Sequence, residues 1–319
     1  MPRQRCAILD DYQDVALQAA DWSKVSGELE IKVFQEHLGS ADNVVKALQG
    51  FAIVCAMRER TAFSRGVIEK LPDLKLLITT GMRNASIDVA AAKEHGVIVC
   101  GTSSVGNPTS GIAIGLMLEL TRRIGYENAR MKAGARWQTT IGLDLDGLTL
   151  GVLGLGKLGT RTAAIAKAFG MKVIAWSQNL TPEKCNEAGV AYVSKDELFR
   201  QADLISIHVV LSPRSRGLVG AKELELMKRS AYIVNTSRGP IIDQSALLAA
   251  LRQNRIAGAG LDVFDVEPLP LEHPFRKMEN VVLTPHLGYV ALQNYRTYFA
   301  GVVEDIRAFL DGTPKRVLD

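Results

Sequence analysis

Residues 148–159 read Leu148-Thr149-Leu150-Gly151-Val152-Leu153-Gly154-Leu155-Gly156-Lys157-Leu158-Gly159. A short apolar run closes on three glycines spaced G-x-G-x-x-G, and from Lys157 to Phe169 apolar residues recur at helical spacing. A glycine turn between a strand and a helix presents backbone N–H groups and the positive end of the helix dipole to a pyrophosphate. Gly154 permits the tight turn, Gly156 lets the backbone approach the phosphates, and Gly159 lets the helix lie close on the strand. The stretch therefore predicts a bound dinucleotide, with Lys157 and Leu158 opening the helix beside it.

The residues after the turn fit the same unit. Gly170 stands where a helix C-cap belongs, and Lys172-Val173-Ile174-Ala175-Trp176 reads as the next strand. In the NAD version of the motif an acidic residue about 20 positions on accepts the adenosine ribose hydroxyls. Here Ser177-Gln178-Asn179 occupies that place, and no acidic residue occurs between Asp146 and Glu183. A carboxylate would repel a 2′-phosphate, whereas Ser177 and Gln178 do not, although no Arg is present to clamp one. The expected cofactor is thus NAD or NADP, with use of NADP or of both.

Working outward, short apolar runs alternate with helical segments along the chain. In the first part Ala7–Leu9, Ile31–Phe34, Ala52–Cys55, Leu74–Ile78 and Val97–Cys100 read as strands, and Asp42–Leu48, Arg65–Leu71 and Ile87–Glu94 as helices. A second series runs through Thr149, Val173, Val190, Leu204–Val209, Tyr232–Asn235, Gly258–Val263 and Val281–Leu283. Such alternation implies parallel sheets, and 319 residues exceed the usual single core. The expected fold is α/β, with two doubly wound parallel-sheet domains. Residues 1–102 plus 290–319 form a flavodoxin-like substrate domain, and residues 103–289 form a Rossmann dinucleotide-binding domain.

Between the two series, Pro108 to Met131 begins with a segment apolar on nearly every side. A helix of that kind must be buried. It is expected to cross from one domain to the other and to help form a homodimer. The final helical stretch, about Val290 to Leu310, is expected to return to the first domain.

Composition excludes several classes. Apolar content of 47% and charged content of 23% are those of an ordinary globular protein. The formal charge of +4 is spread along the chain without a basic run, which argues against nucleic acid. No apolar stretch is long enough to span a membrane, and the opening Met1-Pro2-Arg3-Gln4-Arg5 lacks a signal peptide's apolar core. Cys6, Cys55, Cys100 and Cys185 show no metal-ligand spacing, so no metal is expected. A cytoplasmic location fits these features.

Of the five histidines, His37, His95 and His273 sit in turn, helix-end or loop contexts, while two end predicted strands. His208 closes Leu204-Ile205-Ser206-Ile207 and is placed to line the cofactor cleft. His286 follows Val281-Val282-Leu283-Thr284-Pro285, at the carboxyl edge where open α/β sheets bind ligands. At the same edge one strand runs through Asn235, Thr236 and Ser237 into Arg238. Another runs into Asp262, Asp265 and Glu267. A cation, a carboxylate and an imidazole beside a nicotinamide form a set able to move a hydride and a proton on a carbonyl substrate.

In the block Gly151 to Gly288, the glycine turn, Asn235-Thr236-Ser237-Arg238-Gly239-Pro240, Leu261-Asp262-Val263-Phe264-Asp265-Val266-Glu267-Pro268 and Thr284-Pro285-His286-Leu287-Gly288 occur in order. In these motifs the chain resembles the D-isomer-specific 2-hydroxyacid dehydrogenases, which include glyoxylate/hydroxypyruvate reductases and phosphoglycerate dehydrogenase. The resemblance implies that Arg238 holds the substrate's carboxylate and carbonyl oxygen, that His286 is the general acid and base, and that Glu267 pairs with it. It also implies cofactor contacts from Thr236 and from Asp262, the latter near the cofactor or within the same network, and leaves Asp265 solvated. In the first domain Thr80-Gly81-Met82-Arg83-Asn84 matches the family's substrate-carboxylate loop, and Arg58 matches another substrate-side position. Arg83 stands where a second glycine is common, so its side chain either enters the cleft or points to solvent.

The leading expectation is an enzyme interconverting a small 2-oxo acid and its D-2-hydroxy acid. Formate dehydrogenase shares the fold, but its histidine does not pair with a carboxylate, so Glu267 argues against it. From another class comes a cofactor-sensing binding protein of the corepressor type on the same scaffold.

Overall fold

The computed structural model describes residues 3–319; Met1 and Pro2 lie outside the described residues. The chain divides into two compact units, Met1–Gly106 with Ala291–Asp319, and Asn107–Val290.

The first unit carries a parallel sheet of β1 (Gln4–Ile8), β2 (Leu29–Val33), β3 (Ile53–Ala56), β4 (Leu76–Thr79) and β5 (Ile98–Gly101), in the order β2-β1-β3-β4-β5. β3 and β4 are buried at every position, as continuous apolar runs in a doubly covered sheet must be. Each fully buried Ile, Val or Leu there adds about 1.5–3 kcal/mol of transfer free energy. The helix Leu292–Leu310 belongs to this unit, where Phe299 meets Trp22 at 6.4 Å between ring centroids. Order 2-1-3-4-5 places the reversal of strand order between β1 and β3, where ligands of such sheets enter.

The second unit carries β6 (Thr149–Leu153), β7 (Lys172–Trp176), β8 (Ala191–Tyr192), β9 (Leu204–Ile207), β10 (Tyr232–Asn235), β11 (Gly258–Leu261) and β12 (Val281–Leu283). All neighbours in the order β12-β11-β10-β9-β6-β7-β8 are parallel. The reversal lies between β6 and β9, so the glycine turn after β6 and His208 after β9 share the crevice at the carboxyl edge. Two doubly wound parallel sheets, one of them Rossmann-type, are thus the architecture.

Several expected boundaries shift. β9 stops at Ile207 and β11 at Leu261, which leaves His208 and Asp262 just beyond the strands. The helix predicted to reach Leu71 ends at Ile68. The segment from Pro108 is two helices, Pro108–Arg122 and Ile124–Lys132, broken at Arg123, whose φ of 51° is left-handed. The first lies wholly within the second unit instead of crossing between units. Nor is it buried all round: Ala113, Ile114, Leu116, Met117 and Leu120 are buried, while Gly111 and Gly115 are exposed. Glycines count as apolar in a sequence but offer almost no surface to bury.

All four cysteines are free and buried. Among the described residues no helix is long and apolar enough to cross a membrane.

Candidate active site

The glycine turn is built by sterics. Gly154 has a φ of 104°, and a Cβ there would lie 2.8 Å from the backbone carbonyl of His208. Gly159 has no room for a side chain, because a Cβ would collide with the Gly154 carbonyl oxygen. Gly156 caps the helix Lys157–Ala168 and faces open space. Only at Gly156 is the backbone bare toward a ligand, with the N–H groups of the first helical turn, including those of Lys157 and Leu158, unused by the helix.

At the carboxyl edge of this sheet two buried polar atoms have no hydrogen-bond partner among the described residues, His208 Nδ1 after β9, next to the turn, and Thr236 Oγ1 after β10. His208 Nε2 lies 2.8 Å from Ser206 Oγ, and burial lowers the imidazole's pKa to about 4. The ring is neutral at pH 7. Orphaned polar atoms are costly in an interior, so an open glycine turn on the same sheet edge as two of them fits a polar dinucleotide. Ser177 follows β7, half-buried, and Gln178 beside it is exposed.

Beyond β10 and β11 the chain assembles a set of ionisable groups. His286 Nδ1 lies 2.6 Å from Glu267 Oε2, while Glu267 Oε1 accepts the Phe264 N–H at 2.8 Å. Burial pushes Glu267 upward, but the hydrogen bond from His286, that ring's charge, the Phe264 amide and the charge of Arg238 outweigh it, holding the carboxyl below its usual range. Arg238 donates from Nη1 to the Ser237 carbonyl, and its own carbonyl accepts from Asn235 Nδ2 at 2.9 Å. Arg238, Glu267 and His286 are therefore brought together, the nearest members bonded and the cation within electrostatic reach.

His286 itself adopts a left-handed backbone, φ 53°. Such strain persists only where the surroundings over-determine it, and Asp262 supplies the constraint. Its fully buried carboxylate accepts from Thr284 Oγ1 at 2.6 Å, from Leu287 N at 2.7 Å and from Gly288 N at 2.8 Å. Burial raises the Asp262 pKa, against these three bonds and the charge of His286. Both carboxylate oxygens are spent on the loop that carries the histidine. These bonds put Asp262 within the network around His286, one of the two places the sequence offered for it. Thr109 Oγ1 adds a bond to the Gly288 carbonyl at 2.7 Å.

Asn235, Thr284 and Gly239 were not legible as site residues. A Cβ at Gly239 would collide with the Phe264 carbonyl carbon, so the Arg238 loop and the loop leading to Glu267 touch through backbone. A polar residue closing an apolar strand, 1% exposed at Asn235, is the signal that marks it. Asp265, as expected, is exposed.

In the first unit Arg58 is half-buried at the end of β3, and Met82 and Arg83 are exposed in the loop after β4.

The fold and the glycine turn define a protein of the dinucleotide-binding class. The NAD binding domain of the D-isomer specific 2-hydroxyacid dehydrogenases matches residues 114–288, and the chain belongs to that family. It is 38% identical over 265 residues to a D-3-phosphoglycerate dehydrogenase of Methanocaldococcus jannaschii, matching 82% of this chain and 50% of that one. It is 37% identical over 256 residues to a glyoxylate reductase of Thermococcus litoralis, matching 77% of each. The chain thus spans about half the length of that phosphoglycerate dehydrogenase. A crystal structure of phosphoglycerate oxidoreductase from Vibrio cholerae superposes with a TM-score of 0.91 at 32% identity, covering 97% of this chain and 99% of the other.

Proposed function

We propose that this protein interconverts a small 2-oxo acid and the corresponding D-2-hydroxy acid with NAD or NADP. The observation that carries the reading is the 2.6 Å contact between His286 Nδ1 and Glu267 Oε2, on the same sheet edge as an open dinucleotide turn. A bound nicotinamide supplies or accepts the hydride.

The chain's own groups do the rest. Nδ1–H donates to Glu267, which fixes the tautomer and turns Nε2 toward the substrate. During reduction a protonated Nε2 gives its proton to the carbonyl oxygen as the carbon is reduced. In the oxidative direction the neutral ring takes that proton back. Arg238 holds the substrate's carboxylate and carbonyl oxygen, and Asp262 keeps the loop of His286 in place. Gly154, Gly156, Lys157, Leu158 and Gly159 receive the pyrophosphate, Thr236 and His208 face the dinucleotide, and Ser177 and Gln178 face the adenosine ribose. Arg58, Met82 and Arg83 form the substrate side of the first unit.

The cofactor-sensing alternative draws no support from the relatives, which are named as dehydrogenases and reductases. The test is oxidation of NADH and NADPH followed by absorbance with glyoxylate, hydroxypyruvate and a panel of larger 2-oxo acids. Turnover is expected, with kcat/KM for NADPH equal to or above that for NADH because Ser177 sets no charge against a 2′-phosphate. No turnover across the panel would overturn the reaction, and a preference for NADH of about a hundredfold would overturn the reading of Ser177.

A further inference from the structure

Arg58 leaves β3 with a φ of 53°, a left-handed backbone that a non-glycine residue keeps only under constraint. The constraint comes from β4 and the loop after it. The Arg58 N–H donates to Thr80 Oγ1 at 3.0 Å, and Nη1 donates to the Thr80 carbonyl at 3.3 Å. Nε lies 3.7 Å from Glu59 Oε2. Gly81, with a φ of 95°, gives up the space the guanidinium occupies, since a Cβ there would collide with Arg58 Nη1.

One side chain closes this arrangement. Asn84 Nδ2 donates to the Arg58 carbonyl at 2.6 Å and to Thr79 Oγ1 at 2.9 Å, while Oδ1 accepts the Ser86 N–H at 2.9 Å. Both amide hydrogens and the oxygen are used. Turning the amide over would set its oxygen against the Arg58 carbonyl oxygen, so the chemistry fixes its orientation. Asn84 therefore ties the end of β3 to the end of β4, across two strands that are neighbours in the sheet.

We infer that Asn84 is a positioning residue for Arg58: its amide holds the left-handed turn that lays the guanidinium over Gly81, and so sets affinity for an anionic substrate without acting in the chemical step. The inference rests on the proposed reaction for the role of Arg58, but not for its placement. Two variants separate placement from a mere loop brace. Asn84→Ala removes every bond. Asn84→Asp is nearly isosteric and keeps the acceptor for Ser86, but offers the Arg58 carbonyl an acceptor instead of a donor.

The experiment has two arms. Crystal structures of both variants are expected to show Arg58 out of the left-handed region and its guanidinium off Gly81. Steady-state kinetics should show the KM for the 2-oxo acid raised about tenfold or more in both, with kcat within about twofold and the dissociation constant for the dinucleotide, read by fluorescence titration, unchanged. Gly81→Ala leaves Asn84 intact and displaces the guanidinium directly, so it should reproduce the rise in KM. Arg58 unmoved in both crystal structures, or an Asn84→Asp enzyme with wild-type KM, would overturn the inference. A wild-type protein inactive on every 2-oxo acid would sink the proposed reaction instead, and the Arg58 backbone would still decide the placement.

Discussion

At the scale of single residues, two imidazoles of the second unit have been given opposite environments. His286 stands against a carboxylate held in its charged form, whereas His208 is buried beside a serine hydroxyl with one nitrogen orphaned. The first arrangement suits proton transfer, and the second keeps a ring neutral. Replacing His286 by Ala should lower kcat by about a hundredfold or more, the range for losing general acid catalysis, with nucleotide affinity retained. Near-normal turnover in a stopped assay would show that another group supplies the proton. His208 makes a prediction about stability. Its pKa falls from 6.5 to about 4 on folding, so the unfolded chain binds the extra proton between those values. The stability this group contributes is complete above about pH 6.5 and is lost as pH falls toward 4. Between pH 7 and pH 5 it should cost about 2 kcal/mol, at about 1.4 kcal/mol per pH unit. Urea unfolding at both pH values, without nucleotide, should show that loss in the wild type and not in His208→Asn; parallel losses would remove the argument.

At the scale of elements, the strand-turn-helix at Thr149–Ala168 shows how a local pattern becomes a site. The G-x-G-x-x-G spacing was legible because each glycine answers a local steric demand: a positive φ at Gly154 and a helix pressed on the turn at Gly159. Gly159→Ala should therefore destabilise the second unit by about 1–3 kcal/mol, the usual cost of overpacking, and weaken nucleotide binding. An unchanged urea midpoint together with unchanged nucleotide affinity would mean that the helix can lift off the turn at no cost. Other features of elements were not legible. The break falls on Arg123, a residue type that does not announce a left-handed backbone, with Gly125 two positions on as the one local signal. The bond from Asn84 to the Arg58 carbonyl and all three bonds of Asp262 reach partners in other loops or strands, and periodicity along one segment carries no information about which strand lies next to it.

At the scale of the whole molecule, the segment 124–143 leaves Ile124, Trp137 and Ile141 exposed, the last two at 69% and 101%. Three large apolar side chains left exposed within one short stretch of chain offer surface for a partner, and a second copy of the chain is the partner we propose, as a homodimer. Light scattering after gel filtration should give twice the mass of one chain, and a Trp137→Glu, Ile141→Glu double variant should give one. A monodisperse monomer in the wild type would end that proposal.

The amino-acid sequence by itself determined the two series of strands, the parallel sheets they imply, and the dinucleotide turn, because alternation, apolar spacing and glycine sterics act over a few residues. It also named Arg238, Glu267 and His286 as residues at one sheet edge. Only the tertiary structure decided that Glu267 and His286 touch, that Asp262 spends its carboxylate on the loop of His286, and that the long apolar segment is two helices. Those outcomes depend on strand order and on loops more than 15 residues apart in the chain closing on one another. They are set by the burial of whole sheets and by the need to pair every buried polar group, conditions that no local stretch can satisfy alone.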